Sequence, residues 1–186
     1  MIALRAYSAE RILLPLQKWQ HEQSVLIGRG ALSSDLRKNF REVAELVCFY
    51  SGRIDGCKNN AIDVRNFLVN VLVVCIASAN SMNLSIGEHI AGDFVCPDID
   101  VLARELGRDV PGDGSLSGAA NVISSFGEQM SKVADAMDRF DPGDHRSDME
   151  NLVVQLSIGV LGVLGHLGNG LESAIRSVDL QSLRRS

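Results

Sequence analysis

The sequence is poor in aromatic residues and in runs of positive charge. Phe, Trp and Tyr together make up 5% of its 186 residues, so the apolar core must consist mainly of Leu, Val, Ile and Ala. The formal net charge is −5, and no run of Lys or Arg is longer than two residues. Because nonspecific nucleic-acid binding needs a basic surface, this composition argues against a nucleic-acid partner.

The four cysteines form neither a CxxC pair nor a regular framework. Cys48 and Cys75 lie in apolar runs, which is typical of buried thiols in a reducing compartment. No cysteine or histidine pair has the spacing of zinc ligands. We therefore expect a cytoplasmic protein without a zinc site.

Long apolar runs and strand-like alternation are also missing. The two most apolar stretches, 67–79 and 152–167, contain polar side chains and fall short of the roughly 20 residues that span a bilayer, so we expect no membrane partner. Apolar residues instead recur at three- and four-residue steps, as on amphipathic helices. The chain is predicted to fold as a soluble, single all-α domain over residues 1–186.

Caps and breaks in the pattern place the ends of the helices. Ser51-Gly52 should end the second helix, and Gly107 should end a later one in a left-handed conformation. The spacing Ser-x-x-Glu predicts capping boxes that begin at Ser85 and Ser147. We expect helices at about 15–27 (or from a turn near residue 8, with a kink at the proline), 34–50, 60–81, from 85, 98–107, 117–139, 147–167 and from 171.

The helical pattern occurs twice along the chain. Residues 11–92 and 117–178 each contain an amphipathic helix, a very apolar helix and a short helix, and residues 93–116 join them as a short helix and a linker. Asn66–Asn70 aligns with Asn151–Gln155 when the halves are superposed, although few residues are identical. The halves are either a true duplication about a pseudo-twofold axis or two helical hairpins that share only an apolar rhythm.

Two glutamates of the second helix are candidate metal ligands. Glu42 and Glu45 lie three residues apart, so both carboxylates project from one helix face. Mg²⁺ prefers a few carboxylates together with waters and substrate phosphates. The alternative is a solvated acidic edge of an amphipathic helix. Arg41 beside the pair and Lys18 on the first helix are candidates for holding phosphate oxygens.

A polar stripe follows the third helix. Asp63, Asn66 and Asn70 fall at i, i+3 and i+7 on a helix that is otherwise mainly apolar. A buried amide without a hydrogen-bond partner costs about 1–3 kcal/mol, and residues 41, 42 and 45 of the second helix are candidate partners. Two interpretations stay open, namely a hydrogen-bond network that fixes helix register and a polar ligand or metal pocket.

Three segments of the first half form a set. They are Gln17-Lys-Trp-Gln-His-Glu-Gln23, Phe40-Arg-Glu-Val-Ala-Glu-Leu46 and Ala79-Asn-Ser-Met-Asn-Leu-Ser-Ile86, the last at the end of a long apolar helix. Together they resemble the MazG-like all-α nucleoside triphosphate pyrophosphohydrolases over roughly residues 11–92. The resemblance implies Mg²⁺ held by an EExxE and an ExxD helix, and cleavage of a triphosphate to a monophosphate and pyrophosphate. Residues 117–178 are similar to the degenerate second half of the dimeric dUTPase branch.

The acids of both motifs depart from the family pattern. The EExxE motif reads Arg41-Glu42-Val-Ala-Glu45, with arginine in place of the first acid. Counted back from the end of the third helix, the ExxD motif falls on Phe67-Leu-Val-Asn70, with neither acid. Two carboxylates instead of four would neutralise Mg²⁺ poorly, and the arginine would compete for them.

The resemblance implies two functions of different classes. The first is a Mg²⁺-dependent nucleoside triphosphate pyrophosphohydrolase, in which a metal-activated water attacks. The second is an inactive MazG-like scaffold that binds a nucleotide or forms a homodimer. In the enzyme, the residues assigned to catalysis are Glu42, Glu45 and Asp63, and the first two also bind the metal. The residues assigned to substrate binding are Lys18, Arg41, Asn66 and Asn70.

Overall fold

Helices account for 85% of the residues that the computed structural model describes, which are 8–26, 35–57, 59–90, 96–108, 116–139 and 145–179. No strand occurs within these ranges, so the prediction of an all-α fold is confirmed. The α-helices are α1 (Ala9–Leu26), α2 (Leu36–Gly56), α3 (Ala61–Ser81), α4 (Ile99–Gly107), α5 (Leu116–Arg139), α6 (Arg146–His166) and α7 (Leu171–Arg176), and a 3₁₀ helix (Ile86–His89) follows α3.

The four long helices α2, α3, α5 and α6 pack on one another. α2 contacts both α3 and α5, and α6 contacts the same two helices. α1 packs against α3 and the 3₁₀ helix, α4 packs mainly against α6, and α7 packs against α3 and α4. The buried apolar side chains of these elements form one continuous core.

α3 lies at the centre because it is apolar on nearly every side. Its run Val71–Ala79 is buried without interruption. Asn60 caps the helix, since its side-chain oxygen accepts from the N–H groups of Ile62 and Asp63 at 3.1 and 3.4 Å. The predicted range 60–81 is therefore confirmed.

α3 and α6 are each 21 residues long, longer than the apolar stretches seen in the sequence, and by length and composition both are apolar enough to cross a membrane. Their most apolar windows have mean hydropathies of 1.7 and 1.3, and 61% and 56% of these windows are buried inside the molecule. Core helices of soluble proteins have the same properties.

The first helix has the upstream of its two predicted starts, near residue 8, whereas the predicted end of the second helix is wrong because tertiary packing outweighs local preference. α1 begins at Ala9 and contains Pro15 in its interior, between the buried side chains of Leu13 and Leu16. α2 continues through Ser51-Gly52 to Gly56. Burial of Ile54 in the core offsets the roughly 1 kcal/mol that a glycine costs inside a helix.

The predicted caps also differ. The Ser85 side chain makes no capping hydrogen bond to the 3₁₀ helix, and α6 begins at Arg146, so Ser147 lies inside its first turn. Gly107 is the last residue of α4 and has no positive φ. A Cβ atom on Gly107 would lie 2.7 Å from the carbonyl oxygen of Gly162, so close approach of α6 explains this glycine.

The cysteines are only partly as predicted. Cys75 is buried, and burial raises the pKa of its thiol to about 12. Cys48 is exposed, because it lies one residue past Val47 and therefore off the buried stripe of α2, at the edge of the contact with Gly127 of α5. Within the predicted short helix and linker at 93–116, residues 93–95 and 109–115 lie outside the described residues.

Candidate functional site

The two candidate metal ligands lie one helical turn apart on α2. Glu42 is half-buried and Glu45 is exposed, as is Arg41. Across the described ranges, no group of three or more His, Cys, Asp and Glu side chains is arranged to hold a metal ion. The glutamates therefore offer two carboxylates from a single helix.

Asp63 lies near the opposite end of α2. Its carboxylate accepts from Asn60 Nδ2 at 2.7 Å in the N-terminal turn of α3. Burial and, second, the negative charge of Asp63 raise the pKa of the thiol of Cys57, which follows the last residue of α2. At roughly 1.5 Å per residue, Glu42 is about 22 Å from Cys57 along the helix. The structure does not bring Asp63 to the glutamate pair.

Asn66 and Asn70 face α7. They line a recess of about 250 Å³ whose other lining residues are Val69 of α3 and four residues in and after α7, Ala174, Ser177, Val178 and Asp179. No residue of α2 lines this recess. Phe67 instead packs against Tyr50 of α2, with 6.1 Å between ring centroids. The predicted partners on α2 are thus replaced at this recess by residues of the C-terminal segment.

α7 is fixed over this recess by side chains from other helices. The carboxylate of Asp100 in α4 accepts from the N–H groups of Gly170 and Leu171, both at 2.9 Å. Arg65 of α3 donates to the carbonyl oxygen of Asn169 at 2.8 Å. Asp100 therefore serves as the N-terminal cap of α7, in keeping with the preference of helix N termini for negative charge.

A second polar cluster joins α1 to the end of α3. Gln17 and Gln20 are 4% and 2% exposed. Asn80 Nδ2 donates to the carbonyl oxygen of Gln17 at 2.9 Å and to Gln20 Oε1 at 2.6 Å. Gln17 Nε2 donates to the carbonyl oxygen of Leu84 at 2.9 Å, and its Oε1 accepts from the N–H of Ile86 at 3.2 Å. These bonds fix α1 against the turn that follows α3.

This cluster was not among the predicted sites, although the spacing of its residues on α1 is visible in the sequence. Gln17, Gln20 and Ser24 fall at i, i+3 and i+7 on α1, the same spacing as the stripe on α3. All three are buried, and Gln20 Nε2 donates to Ser24 Oγ at 2.8 Å. The cluster also brings two segments of the resemblance, 17–23 and 79–86, into direct contact.

A recess of about 360 Å³, hereafter the α1 recess, lies beside this cluster. Its walls include the substrate-binding candidate Lys18, the apolar side chains of α1 and the turn after α3, and several amides. The lining residues are Leu14, Gln17, Lys18, His21, Asn80, Asn83, Leu84 and Ser85.

The two recesses differ in chemistry. The recess beside α7 presents two amides, a hydroxyl and a carboxylate, whereas the α1 recess presents a lysine, a histidine and amides on an apolar wall. Neither recess is lined by Glu42 or Glu45. Comparison of the chain with protein-family models, curated proteins and solved structures finds no match, so the geometry of this chain carries the functional argument.

Proposed function

We propose that the chain is a MazG-like helical scaffold that binds a nucleotide without cleaving it. The observation that carries this proposal is the separation of the acids. Asp63 lies beside Cys57, about 22 Å from Glu42 along α2. Within the described residues no third acid joins the pair of Glu42 and Glu45, whereas the family motifs supply acids from two helices.

The position of Phe67 supports the interpretation that the ExxD motif has been lost. Phe67 stands where the ExxD pattern has its first acid, and its ring packs against Tyr50 across the α2–α3 interface. An ionised carboxylate in these apolar surroundings would be costly unless a metal or a cation compensated it. An aromatic pair at this position is consistent with an interface that no longer holds a metal.

The packing of the long helices supports the two-hairpin interpretation of the scaffold. α2 with α3 forms one hairpin and α5 with α6 the other, and the hairpins meet through α2–α5 and α3–α6 contacts. A twofold axis between them would exchange the two hairpins, as expected for a duplication of residues 11–92 and 117–178. Each hairpin covers the apolar helix of the other, so a homodimer is not needed to bury them.

The pyrophosphohydrolase is the second candidate, because Glu42 and Glu45 lie one helical turn apart on a side of α2 that solvent reaches. Two carboxylates with substrate phosphates can hold one Mg²⁺, and this ion supplies charge stabilisation and an activated water when bound. The family motifs hold Mg²⁺ with four carboxylates, and this pair supplies two of them. Binding without cleavage is therefore the preferred function.

Product analysis with a panel of nucleoside triphosphates separates the two functions. The full chain is incubated with canonical and modified triphosphates and with Mg²⁺ or Mn²⁺, and monophosphate and pyrophosphate are quantified. We expect no release above the protein-free background. Release that disappears in Glu42→Gln and Glu45→Gln, but persists in the matched control Glu128→Gln on α5, would establish an active enzyme and contradict the proposal.

A further inference from the structure

We propose that the α1 recess binds the phosphate group of a small phosphorylated metabolite. The recess opens between α1, the end of α3 and the turn that leads into the 3₁₀ helix. This inference rests on the proposed binding function and adds to it a location and a ligand class. It depends on neither Glu42 nor Glu45.

Lys18 gives the recess its preference for an anion, and the ring of His21 adds a hydrogen-bonding nitrogen. Lys18 and His21 are three residues apart, so they lie on one face of α1, and both line the recess. Lys18 therefore brings a positive charge to the recess on a chain whose net charge is −5. A lysine ammonium group carries three donors and is a common point-charge ligand of phosphate oxygens.

Ser85 contributes a hydroxyl that has no partner in the described part of the chain. Its oxygen is buried and makes no hydrogen bond, and it does not cap the 3₁₀ helix that it precedes. Buried polar atoms are nearly always hydrogen-bonded in folded proteins. Ser85 lines the recess, and rotation about its χ1 bond to another staggered rotamer is needed for this buried hydroxyl to donate to a bound phosphate oxygen.

The backbone just before Ser85 forms the turn that ends α3. Asn83 has φ 54°, and no other non-glycine residue in the described ranges has a positive φ. This conformation caps the end of α3, because the N–H of Leu84 donates to the carbonyl oxygen of Ala79 at 2.8 Å and the N–H of Asn83 donates to that of Asn80 at 3.2 Å, a pattern in which asparagine often takes the left-handed position. Asn83 lines the recess as well, so the turn brings an amide and a hydroxyl to the wall beside the lysine.

The walls of the recess are fixed before any ligand binds. The amides of Gln17, Gln20 and Asn80 bond to one another and to the backbone, which holds α1 against the turn. A preorganised wall lowers the entropy that binding would otherwise cost. Leu14 and Leu84 provide an apolar surface for the organic part of the ligand.

The size of the recess limits the ligand. Its volume of about 360 Å³ is near the lower end of the range of about 300–1,000 Å³ that is typical of small-molecule sites. A nucleoside monophosphate or a sugar phosphate has a suitable size. A larger nucleotide would extend beyond the open side of the recess.

The test is a calorimetric titration of the full chain with ATP, AMP and inorganic phosphate, with adenosine as the phosphate-free probe. We expect saturable binding of the three phosphate-bearing probes and none of adenosine. Lys18→Gln should weaken AMP binding at least about tenfold, as expected for the loss of one charge-assisted hydrogen bond. Lys132→Gln on α5 is the matched control and should leave the affinity unchanged.

Ser85→Ala separates a ligand contact from a structural role. Because the hydroxyl has no partner in the described part of the chain, the variant should keep the Tm of the ligand-free protein and yet bind AMP more weakly. AMP binding with equal affinity in the Lys18→Gln and Lys132→Gln variants would overturn the assignment of the phosphate site to the α1 recess and leave the proposed binding function intact. Absence of saturable binding of all three phosphate probes up to about 10 mM would overturn both.

Discussion

Two asparagines on α3 have contrasting surroundings. Asn80 donates to the carbonyl oxygen of Gln17 and to Gln20 Oε1, whereas Asn66 is exposed at the edge of the recess beside α7. Asn80→Ala should lower the free energy of unfolding by about 1–3 kcal/mol, because buried amide groups lose their partners. Asn66→Ala, the matched control, should change it by less than about 0.5 kcal/mol. Urea denaturation measures both, and equal losses would contradict the importance of the α1–α3 cluster.

These residues also show which parts of a site the sequence can predict. The spacing placed Asp63, Asn66 and Asn70 on one stripe of α3, and the structure places the two asparagines in one recess. Their neighbour α7 lies about 100 residues further along the chain, and no local pattern identifies it. The partner of a polar face depends on how distant helices pack, which spacing within one helix does not encode.

Two glycines of α6 differ in what surrounds them. A Cβ atom on Gly165 would lie 2.7 Å from the backbone nitrogen of Arg104 in α4, whereas one on Gly159 would meet only a methyl group of Val122 at 3.7 Å. Gly165→Ala should therefore destabilise the protein by about 1–3 kcal/mol, because the α4 backbone cannot yield as a side chain can.

Gly159→Ala should stabilise the protein by up to about 1 kcal/mol, because alanine is the better helix former and the added methyl group has room. Thermal unfolding of the two variants under identical conditions provides the comparison. A similar change of Tm in both would show that α4 and α6 do not approach as closely as the structure has them.

The apolar pattern predicted the presence of each helix more accurately than the residues at which the helix begins and ends. The ranges 60–81 and 117–139 agree closely with α3 and α5, since each has a strong pattern and a polar or glycine-containing boundary. α2 extends about six residues past its predicted end because Ile54 still faces the core. That extension lengthens the helix by about 9 Å. The start of α3, with Asp63, therefore lies further from Glu42.

Across the whole molecule, the side chains that could bind a ligand are unevenly distributed. The hairpins share the core, but the lysine-containing α1 recess belongs to the first half alone. Two of the three segments that carry the resemblance, 17–23 and 79–86, meet at this recess. The resemblance could not indicate that the acids lie apart, because their distance depends on where α2 ends.

Thermal unfolding of the full chain with and without a nucleoside triphosphate distinguishes binding from cleavage, provided that the nucleotide is recovered and analysed afterwards. Binding to the folded state raises Tm by mass action. We expect a higher Tm that persists when EDTA removes divalent metal, because Lys18 rather than a metal neutralises the phosphate, and we expect intact triphosphate at the end. An unchanged Tm with every triphosphate, or stabilisation that requires Mg²⁺ and is accompanied by pyrophosphate, would contradict binding without cleavage.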